Sequence, residues 1–383
     1  MTIFDAGWES AGPKLALVDK LRLTNWGLVL IICMIGGAGI ALLYSAGGLS
    51  WEPWAIRQAV RFALGIGVML TIAMIDVRFW LRIAYVAYLT VLVLLVAVEV
   101  MGQIGMGAQR WIDLGFFVLQ PSELMKIALI LALARYFHGL TPDDVARPMV
   151  LVPPLLMVFI PVGLVLLQPN LGTATLLVLG SGAIFFVAGV KLWKFVVVSA
   201  AGLAALPIGW QFLHDYQKRR VLTFLDPHAD PLGAGYNILQ SEIALGSGGL
   251  FGKGFGHGTQ GQLLFLPEKH TDFIFVVLAE ELGMMGALAL LLLYVLVLVY
   301  GYAIGLSSRN HFGRLVALGV TTAFFLYLFV NVAMVSGLIP VVGIPLPLVS
   351  YGGTAMMTLL IGCGLLLSVS IHREVRIPRR GIG

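Results

Sequence analysis

An all-α integral membrane fold with about ten transmembrane helices is predicted by three observations. Of 383 residues, 59% are hydrophobic and only 11% are charged, against about 25% charged in soluble domains. Apolar runs of the ~20 residues needed to cross hydrocarbon recur along the whole chain. Backbone polar groups in lipid must be satisfied internally, and the alternation of outer-membrane strands is absent, so these runs are helices.

Residues 1–24 are polar and mixed and are expected to form a cytoplasmic N-terminal segment. The first apolar run is too long for a signal-peptide core and has no clear cleavage site. Spans are predicted at 25–46, 58–75, 79–101, 121–138, 149–167, 171–190, 193–213, 272–304, 314–339 and 350–371, with 372–383 as a tail. The fourth opens on polar residues. The eighth is long enough to imply tilt or extension beyond the bilayer. No transporter-type internal repeat is evident, so 1–383 is taken as one polytopic domain.

Lys and Arg set the orientation. With the N-terminus inside, Lys14, Lys20, Arg22, Arg78, Arg82, Arg135, Arg147, Lys191, Lys194, Arg309, Arg314 and Arg373 to Arg380 fall in cytoplasmic segments. That bias predicts both termini in the cytoplasm. The scatter of basic residues between spans argues against nucleic acid as a partner. Cys33 and Cys363 lie inside apolar runs and read as small buried hydrophobes, without a disulfide framework or metal motif.

One connection is long. Residues 214–271 form an outer loop between spans seven and eight, with the cluster Lys218-Arg-Arg220 and the glycine-dense stretch Gly246 to Gly256. Loops of this length are uncommon unless functional or disordered. Its glycines permit tight turns and close backbone approach, which suits a compact structure on the membrane face; the alternative is a flexible tether.

The candidate chemistry gathers near that loop. Asp272 follows Glu268, Lys269, His270 and Thr271 where the loop enters span eight. A carboxylate there is favoured by the helix dipole, either as an N-cap or as a working group. Glu123 and Lys126, spaced i, i+3 at the start of span four, share one helix face. Charges in lipid are paired or functional, so this is a structural ion pair, a catalytic element, or both. Glu280 and Glu281 lie ~12 Å further along span eight and favour packing or a salt bridge over chemistry. On the outer side Arg110, Lys218, Arg219, Arg220 and Lys253 could hold a diphosphate or anionic lipid headgroups. Gly337 to Gly353 carries three prolines and cannot be a regular helix. Such backbone must be buried or line a cavity, where Ser350 and Tyr351 supply hydroxyls.

Four blocks then carry a resemblance over almost the whole chain: Gly107-Ala-Gln-Arg-Trp-Ile112 with Gln120-Pro-Ser-Glu123; Gln168-Pro-Asn-Leu-Gly-Thr-Ala174; Tyr216-Gln217 through Gln262 to Glu281; and Pro340 to Gly353. The chain resembles the SEDS proteins (shape, elongation, division, sporulation), and the elongation branch more than its division paralogue. The resemblance implies a glycosyltransferase that polymerises lipid II into β-1,4 glycan on the outer face of the bacterial cytoplasmic (inner) membrane. It implies Asp272 as general base and undecaprenyl diphosphate as leaving group. Substrate would meet Arg110, Glu123, Lys126, Arg220, Lys253, Glu268, His270, Ser350 and Tyr351. A divalent cation, Mg or Mn, is left open as an aid, no protein metal site is assigned, and a class B penicillin-binding protein is the implied transpeptidase partner. Asn170 departs from the Asp often found in the family's Gln-Pro-Asp-Leu-Gly block, which puts any cation-binding role at that position in doubt. Alternatives from the residues alone are a flippase for lipid-linked precursor and a non-catalytic scaffold of wall synthesis.

Overall fold

The computed structural model describes residues 15–105, 108–113, 115, 118–212, 218, 222–226, 236–258 and 269–378. Arg219, Arg220 and Glu268 lie outside the described residues, as does much of the 214–271 loop. The helices are α1 (Leu17–Leu23), α2 (Trp26–Ala46), α3 (Ala55–Met74), α4 (Val77–Met101), α5 (Pro121–His138), α6 (Pro142–Ala146), α7 (Val152–Leu167), α8 (Leu171–Val187), α9 (Leu192–Phe212), α10 (Tyr236–Ser247), α11 (Ile274–Ser307), α12 (His311–Val335) and α13 (Gly353–Ile371).

Seven of these, counting α7 with the 3₁₀ turn before it, are long and apolar enough to cross a membrane: α2, α3, α4, α7, α11, α12 and α13. Helix α8 and part of α9 are shorter apolar helices, and α5 carries Glu123, Lys126 and Arg135. Together these ten elements occupy the ten ranges predicted from hydropathy. Burial sorts them. The apolar windows of α12 and α13 are 72% and 78% buried, against 33% or less in α3, α4, α7 and α11. Helix α5 is buried on nearly every side, as expected of a helix without a polar face. The centre of the bundle is therefore α5, α12 and α13, with α3, α4, α8 and α11 packed around them.

Three strands, β1 (Gln103–Gly105), β2 (Ala108–Asp113) and β3 (Val118–Leu119), form a small antiparallel sheet in the order β1-β2-β3 between α4 and α5. Sequence reading assigned them no element. The sheet is tied to the bundle where Thr354 Oγ1 donates to the Val118 carbonyl (2.9 Å).

The eighth span is broken rather than simply long. A continuous 34-residue helix would measure ~51 Å at 1.5 Å per residue, well beyond ~30 Å of hydrocarbon. Gly283 interrupts it at φ 66°, ψ −165°, a region open essentially to glycine alone. Residues 274–282 become a short half-helix and residues 284–307 the membrane-length half. The backbone groups released at the break are recaptured by the glycine-dense loop. Lys253 N donates to Glu280 O (3.0 Å) and Gly254 N to Glu281 O (2.9 Å). In the other direction Met284 N donates to Gly249 O (2.9 Å) and Met285 N to Leu250 O (3.1 Å).

Helix α12 stops at Val335 and α13 starts at Gly353, leaving residues 336–352 irregular. Glycines on neighbouring helices let that segment come close. A Cβ on Gly39 of α2 would lie 2.6 Å from Val349 Cα, and one on Gly172 of α8 would lie 2.8 Å from the Val342 carbonyl oxygen. Only a bare backbone admits such contact.

Candidate active site

Asp272 does not cap its helix. The half-helix begins at Ile274, and its cap position is Phe273, whose side chain makes no capping bond. Asp272 belongs instead to a turn whose three successive carbonyls are each held by a donor from the C-terminal part of the chain. Tyr351 N donates to His270 O (2.8 Å). Ser350 Oγ donates to Thr271 O (2.5 Å). Asn331 Nδ2 donates to Asp272 O (2.9 Å) and also to Ile344 O (2.7 Å). The Asp272 carboxylate faces Gly343, where an added Cβ would stand 3.4 Å from its Oδ2.

The second element is a buried ion pair on α5. Lys126 Nζ and Glu123 Oε1 are 2.6 Å apart, with side chains 5% and 6% exposed. The Tyr327 hydroxyl accepts from Lys126 and donates to Glu123, and the ammonium also lies 4.3 Å from the centre of the Tyr327 ring. Tyr327 and Asn331 are one turn apart on α12, a rise of ~6 Å. One helix face thus carries both the donor that holds the Asp272 turn and the phenol that joins the ion pair. A cavity between α5, α8 and α12 is lined by Lys126, Ser181 and Tyr327 among leucine and isoleucine side chains.

The remaining expected residues divide into those beside Asp272 and those committed to structure. Arg110, from β2, donates through Nε to Gln168 O (3.0 Å) and through Nη2 to Pro169 O (2.5 Å). Asn170, next in line, caps α8 by accepting from Thr173 N (3.2 Å). Since Gly172 touches Val342, beside Gly343, the Arg110 block and the Asp272 carboxylate border the same irregular segment. His270 stacks on Trp54 (4.6 Å between ring centres, 12°) and lies 6.0 Å from the Tyr351 ring. Ser350 is 3% exposed, and its hydroxyl, besides binding Thr271 O, accepts from Leu346 N (2.8 Å). It acts on the backbone rather than presenting a hydroxyl to a cavity.

Lys253 lies at the helix break. Its Nζ is 2.7 Å from Glu280 Oε1, so the loop that recaptures the broken backbone also brings the counter-ion. Glu281 accepts from Ser45 Oγ (2.5 Å). The two glutamates are fully enclosed and sit in a structural ion-pair and hydrogen-bond arrangement. Burial holds the Lys269 ammonium below the ordinary lysine range, against the upward pull of Glu281. Among the described residues no three His, Cys, Asp or Glu side chains converge as a metal site.

Sequence reading passed over Tyr327, Asn331 and Arg61. Each left the same signal, a polar group inside an apolar run, where an isolated polar residue in lipid should have a partner or a task. The Arg61 guanidinium lies 5.1 Å over the Tyr351 ring, beside Gly353 at the start of α13.

Comparison with known proteins agrees with this architecture. Residues 21–375 match the FtsW/RodA/SpoVE model, described as cell cycle protein. Peptidoglycan glycosyltransferase MrdB of Escherichia coli (strain K12) is 45% identical over 93% of this chain and 96% of its own. Stage V sporulation protein E of Bacillus subtilis (strain 168) is 36% identical over 90% and 96%. A solved chain from work on the structural coordination of polymerization and crosslinking by a peptidoglycan synthase complex superposes with a TM-score of 0.79. It is 34% identical, over 91% of this chain and 98% of that one. The crystal structure of Thermus thermophilus rod shape determining protein RodA gives 0.69 at 32% identity, over 91% and 97%. A family match across nearly the full length, on top of the shared fold, makes this chain a member of the FtsW/RodA/SpoVE (SEDS) family of cell cycle proteins.

Proposed function

We propose that this integral membrane protein is the peptidoglycan glycosyltransferase of cell elongation, polymerising lipid II with Asp272 as its general base. The observation that carries the assignment is the clamping of His270, Thr271 and Asp272 by three donors, beside a buried Lys–Glu–Tyr cluster. A base pre-set in this way contributes to the chemical step, with positioned proton transfer giving about 10²–10⁴ in rate.

In the proposed reaction Asp272 accepts the proton of the 4-hydroxyl on the acceptor N-acetylglucosamine. The oxygen forms a bond to C1 of the donor sugar. The bond from C1 to the diphosphate breaks, and undecaprenyl diphosphate leaves with the electron pair. Displacement inverts C1 and gives the β-1,4 link. Arg110, beside the irregular segment, and Lys126, in the buried cluster, balance the charge on the leaving group. Mg or Mn, where used, would take its ligands mainly from phosphate and water with one or two carboxylates, the usual habit of Mg. Both termini lie in the cytoplasm and Asp272 on the outer side, a placement supported by the Lys and Arg bias of the short loops.

A class B penicillin-binding protein is the proposed crosslinking partner. Support comes from the synthase-complex relative and from α11, whose Met285, Leu288, Leu292, Val295 and Val299 form an exposed stripe, with Phe325 and Phe329 exposed on the neighbouring α12. Their alternating spacing of three and four residues suits a docked membrane helix.

The test is purified protein in detergent with lipid II, run with and without the transpeptidase and with chelator. Wild-type protein should form glycan, and Asp272→Asn should form none while remaining folded and inserted. Glycan from the Asn variant would remove Asp272 from the mechanism. Its absence from wild-type protein, with the partner present, would favour a flippase or scaffold.

A further inference from the structure

We propose that Asn331 is a positioning residue for Asp272, holding the carboxylate in place through the backbone rather than through any contact with substrate. The inference rests on the reading of Asp272 as the base. Asn331 is fully enclosed in α12. Its single NH₂ group supplies both of its protons to backbone carbonyls of two different segments, Asp272 (2.9 Å) and Ile344 (2.7 Å). Those carbonyls belong to irregular chain, where lipid offers no replacement donor. An amide that bridges them fixes the distance between the Asp272 turn and the segment its carboxylate faces at Gly343.

No other side chain type of this size does the same. Aspartate would present a third oxygen to two carbonyl oxygens. Leucine fills the space and donates nothing. Serine has one proton, not two. Among the described residues the amide oxygen of Asn331 accepts no hydrogen bond, and the hydrogen bonds the residue makes there are its donations to the two carbonyls. Ser350 and Tyr351 hold the preceding two carbonyls, whereas Asn331 holds that of Asp272 itself. Asn331 is the member of the set that determines where the reacting residue sits. The ion pair is set by the same helix face, because Tyr327 lies one turn away. A shift of α12 at this level therefore moves both elements together, whereas loss of the Asn331 amide releases the Asp272 and Ile344 carbonyls and leaves the ion pair in place.

Asn331→Leu and Asn331→Asp are compared with wild type for polymerisation of lipid II. Because ångström-scale misplacement of a reacting group costs up to about 10²-fold, kcat should fall about 10–100-fold with KM within about twofold. The decisive arm places Asn331→Leu on Asp272→Glu, whose carboxylate is already displaced. A residue acting through Asp272 then costs less than threefold more, whereas one acting elsewhere costs its full factor again. Asn331→Ser, which keeps one donor proton, provides the readout if Asn331→Leu fails to fold; it should lower kcat at constant KM and lose its effect on Asp272→Glu. Full additivity on Asp272→Glu, or an effect confined to KM, overturns the proposal. An active Asp272→Asn overturns the reading beneath it, and the two failures are told apart by that single variant.

Discussion

Lys253→Met and Glu280→Gln should differ in cost although they cut the same ion pair. The two groups are 2.7 Å apart, but the Lys253 side chain is 28% exposed and that of Glu280 only 1%. Removing Lys253 takes the ammonium from an enclosed carboxylate, and truncating one partner of a buried pair costs about 3–5 kcal/mol. Glu280→Gln leaves an ammonium that can turn toward water and retains an amide oxygen as acceptor. Its cost is that of one charge-assisted hydrogen bond, about 1.5 kcal/mol. Thermal unfolding of the purified protein in one detergent at neutral pH should rank wild type above Glu280→Gln, and Glu280→Gln above Lys253→Met. Lys253→Met combined with Glu280→Leu should recover most of the loss, since apolar replacement of a whole buried pair is close to neutral. Because the pair sits at the far end of the half-helix that follows the Asp272 turn, turnover should follow the same order. If Glu280→Gln proves as costly as Lys253→Met, exposure does not govern this pair and the reasoning fails.

The Glu123–Lys126 pair gives the contrasting case, because its side chains are equally enclosed at 6% and 5%. Glu123→Gln and Lys126→Met should each cost about 3–5 kcal/mol and the double variant less than either, as read by the same melts, while glycan synthesis stays low in all three. Gly283→Ala should lose at least about 1–3 kcal/mol from backbone strain alone, because its Cβ would meet the Gly252 amide and lie 2.6 Å from the Leu250 carbonyl oxygen. Unchanged melting of that variant would mean that the break is not fixed by the loop. At the C-terminal end of α13, burial lowers the His372 pKa below its ordinary 6.5, with the Ser368 carbonyl and Asp76 pulling upward against it. A depressed histidine pKa means that the unfolded chain takes up the proton first, so stability is present above pH 6.5 and is lost on acidification below it. Melts across that window should show the loss in wild type and a flatter profile in His372→Gln.

Hydropathy made the ten helical ranges legible because it is local, and α5 fell on its predicted range even with two charges at its start. The break in α11 was hidden for the opposite reason. Gly283 opens a long apolar run two residues after Glu281, and what makes it a break is the approach of Gly249 to Gly254, some thirty residues earlier. The same holds for the site. Asp272, Glu123 and Lys126 stand out in sequence because charge in lipid demands an explanation. Tyr327 and Asn331 blend into an apolar helix, where a phenol and an amide pass for core. Ser350 was visible as a hydroxyl, but its role on the Thr271 carbonyl needed the tertiary contact.

The half-helix 274–282 is joined to protein at both ends and takes little from lipid. At its start the carbonyls of residues 270–272 take donors from Tyr351, Ser350 and Asn331. At its end the carbonyls of residues 280 and 281 take the amides of Lys253 and Gly254. Non-helical backbone at membrane depth is tolerated where protein satisfies it, and at both ends these hydrogen bonds do so. The consequence is chemical. A base on a mobile loop would have to be ordered during each turnover, whereas a group pre-set by folding brings no reorganisation cost to the transition state. Loosening either end should then lower kcat ahead of KM. That pattern separates the half-helix from the exposed stripe on α11, where substitutions should weaken association with the partner and leave the intrinsic chemical step alone.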